Sequence, residues 1–122
     1  MHAPLNLAVV RGHLSRPSEA VPLASGDVLV RYEVTVPQAD ARADTVPVVA
    51  VSPPAHARDL DAGTEVVVVG RTRRRFWSAA GATRSQVEIL ADTVVAARRR
   101  AGATRALVGA VATLEAFAHQ EE

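Results

Sequence analysis

The clearest local signal is the stretch Val28 to Val36. Val28, Val30, Tyr32, Val34 and Val36 alternate with Leu29, Arg31, Glu33 and Thr35, a period of two that predicts a strand with one apolar face. Leu5 to Leu14 reads as an earlier strand with Gly12 as a bulge or bend, ended at Arg16-Pro17 because proline cannot donate to a ladder. A short strand over Val21 to Ala24 precedes the tight turn Ser25-Gly26-Asp27. Thr45 to Val51 is a third main strand, and Pro53-Pro54 opens a short helix from Ala55 to Leu60 that stops at Ala62-Gly63. Glu65 to Phe76 is a long fourth strand, Ser78 to Ala82 its tip, and Thr83 to Leu90 the returning fifth, which can extend through Val94-Val95.

Five strands with a helix between the third and fourth predict an all-β domain, a five-stranded OB-fold barrel over residues 1–97. A small sandwich is the competing architecture. Residues 98–122 change character. Arg98-Arg99-Arg100 and Gly102 form a basic hinge, and Leu107, Val111, Leu114 and Ala118 then recur at helical spacing, widened by Val108, Ala110 and Phe117. This added C-terminal helix could pack on its own barrel or pair between subunits. Pairing is favoured because a small closed barrel needs no lid, which makes Leu107, Val111, Leu114 and Phe117 the expected oligomerisation residues.

Charge sharpens the picture through its placement. The net charge of the whole chain is only +1, but residues 71–105 hold nine arginines against Glu88 and Asp92, a net of +7. Such a segment suits a polyanion, or else a solvated surface with counter-charges across the fold. Every basic residue other than histidine is arginine and cysteine is absent, which excludes lysine-based and thiol chemistry, disulfides and thiolate metal sites. His2, His13, His56 and His119 show no metal-ligand spacing, and no nucleophile elbow, phosphate-binding glycine loop or carboxylate pair points to catalysis. The expectation is a non-enzymatic protein with no cofactor and no metal. No run reaches the roughly 20 apolar residues of a membrane span and no secretory signal is evident, so no membrane partner is expected and the expected location is cytoplasmic.

The densest chemistry lies at Gly70-Arg-Thr-Arg-Arg-Arg-Phe-Trp77, directly after Val66 to Val69. Alternation puts Arg71, Arg73, Arg75 and Trp77 on one face, a row of phosphate-binding forks beside an indole on which a base can stack. Arg74 adds a further phosphate contact, Arg11 and Arg31 sit on earlier strands that could line the same groove, and Arg84 acts from the returning strand. Trp77 near a hairpin tip should be partly exposed, with capping of the barrel end as the other role. Phe76 points to the opposite face and is expected in the core, Tyr32 is expected buried, and Phe117 is expected to serve packing.

In this order, the chain resembles the bacterial single-stranded DNA-binding protein family from about Leu5 to Val95. The resemblance is carried by Asn6 to Leu14, Arg16-Pro17 with Ser25-Gly26, Val48-Val49 with Ala55 to Leu60 and Gly63, Gly70-Arg71 through Trp77, and Val87-Glu88-Ile89 with Asp92 to Val95. It implies an OB-fold that forms dimers or tetramers and wraps single-stranded DNA on basic and aromatic surfaces, in DNA replication or repair, breaking no bond. Two departures stand out. Thr45 and Val51 occupy places where the family carries further stacking aromatics. Glu121-Glu122 replaces its acidic, proline–phenylalanine tip, so partners that grip such a tip are not expected and a short specialised paralogue is. An OB-fold with few stacking aromatics can alternatively serve as a protein-interaction module, or bind RNA.

Overall fold

The computed structural model describes residues 3–120; His2, Glu121 and Glu122 lie outside them. Six strands form one sheet: β1 (Ala8–Leu14), β2 (Glu19–Pro22), β3 (Val28–Val36), β4 (Asp44–Val51), β5 (Glu65–Ala79) and β6 (Ala82–Ala96), followed by α1 (Arg100–Gln120). Their order is β1-β5-β6-β4-β3-β2, and β1 also pairs with β3 through His13–Thr35 and Leu14–Val34. Hydrogen bonding therefore closes a ring of β1, β5, β6, β4 and β3, with β2 attached outside it. All pairings are antiparallel except β4 with β6, where Val48 lies beside Ile89 and Val49 beside Leu90.

The ring closes over an apolar interior. Leu14, Val30, Tyr32, Val34, Val48, Val66, Val68, Ile89 and Val94 meet inside it, each on the inward phase of its strand. Gly12 is not a bulge: β1 runs in continuous register past β5, and a Cβ at Gly12 would strike the backbone carbonyl of Thr35. Its lack of a side chain lets β1 approach β3 and shut the ring. The bulge falls instead on β6, where Asp92 is the extra residue between Thr93 opposite Val69 and Ala91 opposite Gly70.

The helix expected over Ala55 to Leu60 is a single 3-10 turn, Ala55–Ala57. Two prolines ahead of it and no acidic residue in its first turn leave little to propagate a helix. Tertiary bonds hold the segment in place. Ala57 and Leu60 are buried in the ring's core, the Tyr32 hydroxyl donates to the Ala57 carbonyl, and the Ser18 hydroxyl accepts from Leu60 N–H (2.8 Å). The short strand expected at Val21 to Ala24 lies two residues earlier, paired to β3 from Glu19 to Pro22. At the N-terminus the strand expected from Leu5 begins only at Ala8. Asn6 nevertheless extends the pairing with its side chain, Nδ2 donating to Thr72 O (2.7 Å) and Oδ1 accepting from Thr72 N–H (2.9 Å).

β5 and β6 are each 15 residues long and outrun the ring. β1 pairs with β5 no further than Gly70 and β4 with β6 no further towards the hairpin tip than Ile89. The remainder is a two-stranded ribbon, closed by Ala80-Gly81, both at positive φ (50° and 78°) as a two-residue type I′ turn requires.

After a turn at 97–99, α1 lays Ala103, Ala106 and Leu107 on Val67 and Val95, the outward-facing valines of β5 and β6. This corrects the expectation for Leu107: it packs on its own chain's sheet. Val111 and Leu114 are exposed, and Phe117 is half-buried in a groove with Ala3, Leu5, Leu114 and Ala118. Along the stripe, Ala103, Leu107 and Ala110 are thus covered in cis, whereas Val108, Val111 and Leu114 stand exposed.

Candidate nucleic-acid interface

Residues directly opposite in an antiparallel pair share a face. Counting outward from the turn at Ala80-Gly81, Trp77 lies opposite Arg84, Arg75 opposite Gln86, Arg73 opposite Glu88 and Arg71 opposite Leu90. These residues form the outer face of the ribbon. It runs on to the outer face of β4 and β3, where Val49 lies beside Leu90 and opposite Arg31. Arg31, Glu33, Val49, Arg75, Gln86 and Glu88 line one cleft of about 250 Å³.

Glu88 organises this face. It is 2% exposed, and its two carboxylate oxygens accept from Arg75 Nε (3.1 Å) and Arg73 Nε (3.0 Å). A buried carboxylate needs such partners, because an uncompensated charge away from water costs several kcal/mol or more. The clamp in turn holds Arg75 over Trp77, with its guanidinium carbon 4.4 Å from the ring centroid. One side of the indole is therefore taken by a guanidinium, and Trp77 as a whole is half-buried.

The other expected contacts divide. With Arg75 on Glu88, the arginines lining the cleft are matched one for one by glutamates and its formal charge cancels: Arg31 is exposed but paired with Glu19 (3.3 Å), and Arg16 approaches Glu33 (3.9 Å). Pairs this exposed are worth about 0–1 kcal/mol and can be exchanged for a phosphate. Arg71 and Arg84 are exposed on the ribbon and make no ion pair among the described residues. Arg74 is on the opposite face, donating to Ser85 Oγ (3.0 Å). Arg11 does not join the groove. It is paired with Glu65 (2.7 Å) in a separate depression beside Arg98 and Arg100.

Two residues depart from expectation. Phe76, expected in the core, is 64% exposed, with Val87 near it at 48%. Its face is that of Ile89 and the ring interior, but the ribbon has left the ring by that point and nothing covers it. Glu88 has a role beyond counter-charge, and its position was legible: pairing outward from a two-residue turn at Ala80-Gly81 sets it against Arg73. Tyr32 is buried as expected, and burial pushes its phenol from 10.0 up to about 12, with Arg58 pulling the other way. Thr45 and Val51 are both exposed, and Thr45 faces Thr35 across the strand pair.

Among the described residues no group of three His, Asp or Glu side chains is placed to hold a metal ion, and no helix is long and apolar enough to cross a membrane. No protein-family model matches this chain, and no curated protein matches it.

Proposed function

We propose that this chain binds single-stranded DNA without sequence preference, on an OB-fold barrel whose long β5–β6 ribbon is the main contact surface. The closed strand order with one parallel pair, β4 beside β6, supports the barrel reading, since an OB-fold joins its third and fifth strands in that way once the short β2 is set aside. The observation that carries the reading is the ribbon itself. It projects past the ring bearing Arg71, Arg73, Arg74, Arg75 and Arg84 against the single carboxylate Glu88, together with Phe76 and Trp77. Arginines there neutralise phosphates and release counterions, and rings stack on bases of any identity.

The test uses Trp77, the sole indole. Its fluorescence is quenched when oligo-dT is added at low salt, and log affinity falls against log salt by about 0.7 per phosphate neutralised. A flat signal together with unchanged anisotropy of labelled DNA refutes the reading. Competition by a matched RNA oligomer separates a DNA preference from an RNA one.

The exposed apolar side chains of α1 favour a second component, association between copies. Val108, Val111 and Leu114 are exposed at 62%, 53% and 46%, and a second subunit is the partner that a dimer or tetramer would supply. Leu114→Glu shifts the mass measured by light scattering if that face is covered in the assembly. If the assembly forms and DNA affinity is nil, the chain is an interaction module instead.

A further inference from the structure

The ribbon presents an arginine two residues before an aromatic ring on each of its faces: Arg75 before Trp77 on one, Arg74 before Phe76 on the other. The two faces are not equivalent. On the Trp77 face, Glu88 binds two of the guanidiniums and Arg75 lies on the indole, so both charge and ring are partly occupied within the protein. On the Phe76 face the ring is 64% exposed and Arg74 is held only by a serine hydroxyl. The rest of that face is threonine, serine and Val87, without a carboxylate.

We infer that Phe76, with Arg74, is the more open base-stacking site, so that a bound single strand contacts both faces of the ribbon. This rests on the single-strand reading above and extends it to a residue whose own strand phase points to the core. A large ring left in water beside a cation matches a ligand with a π-face and an adjacent negative charge. A nucleotide carries both: the base stacks on Phe76 and the neighbouring phosphate takes the free N–H groups of Arg74. A protein partner would be expected to meet a broader apolar surface, whereas here Phe76 and Val87 stand among hydroxyls and a charge.

Phe76→Leu keeps the apolar bulk and removes the ring. Because the side chain is exposed, the thermal unfolding midpoint stays that of the wild type, which separates a binding defect from a folding one. Binding of labelled oligo-dT to Phe76→Leu is expected to weaken about five- to 150-fold, the range for loss of one stacked base, while Phe76→Trp restores it. At saturation Trp77 in Phe76→Leu is still quenched, because the other face still engages. Wild-type affinity in Phe76→Leu overturns the inference and leaves the parent reading standing. An unchanged affinity with a smaller mass by light scattering overturns it in favour of a contact between copies. If the wild type itself binds no oligo-dT, the parent reading fails and this inference fails with it.

Discussion

The closed ring and the ribbon that projects from it are made by the same two strands, yet they obey different rules. Within the ring, β5 reads Val66-Val67-Val68-Val69; Val66, Val67 and Val68 are fully buried, the inner phase by the core and Val67 by α1. A few residues later the same strand reads Arg71 to Trp77, with no buried side chain. The change falls at Gly70, where a Cβ would collide with the backbone of Leu90 and Ala91 and where Asp92 is bulged from β6. In the ring, side chains are held by exclusion of water. In the ribbon, order comes from a two-residue turn, one ladder of hydrogen bonds and the Glu88 clamp. Burial is concentrated in the ring, whereas the ribbon's polar and aromatic groups lie largely at the surface.

The largest effect that could break this contrast is a cavity. Leu14→Ala empties a fully buried position and is expected to cost about 2–5 kcal/mol in denaturant unfolding. Phe76→Ala on the ribbon should cost under about 0.5 kcal/mol. Comparable losses for the two would mean that the ribbon is as structurally essential as the ring.

Alkaline pH probes the ring next. Tyr32 holds its proton up to about pH 12 in the folded chain, whereas a solvated tyrosine ionises near 10.0. The folded value is the higher one, so this contribution is intact below about pH 10 and is lost as pH rises from 10 to about 12. It amounts to about 3 kcal/mol, and Tyr32→Phe should remove that alkaline limb from the stability profile. A profile identical in both proteins would mean that the phenol is not sealed in the core.

A smaller effect belongs to Glu88. Glu88→Gln leaves Arg73 and Arg75 without their carboxylate, and both guanidiniums reach solvent, so the stability cost should be only about 1–2 kcal/mol. The substitution also unmasks one charge on the ribbon. If the ribbon binds DNA, the salt dependence should steepen by about 0.7 in the log–log slope. An unchanged slope would mean that phosphates do not reach these arginines.

Much of the fold was legible because backbone periodicity reports strand phase directly. The alternation from Val28 to Val36 sorts inward from outward residues as the structure does, and Arg71, Arg73, Arg75 and Trp77 share a face. Phe76 shows the limit of that reading. Its phase points to the core side, but burial depends on whether another strand lies across it, and β1 and β4 stop short. Leu107 shows a signal that was present and unused. An unbroken run from Val66 to Val69 implies cover on both faces of the strand, and α1 supplies the outer cover.

Local chemistry in the chain set where strands run, which phase of each is apolar and that cations crowd beside the only indole. These follow from neighbours within a few residues, which sequence records in full. Which arginines are neutralised, which ring stands open and which residues of the C-terminal stripe are covered were decided by pairings between distant segments: Glu88 against Arg73 and Arg75, β1 against β3, and α1 across Val67 and Val95. Those depend on where each strand ends relative to the others, a length relation that no local pattern encodes.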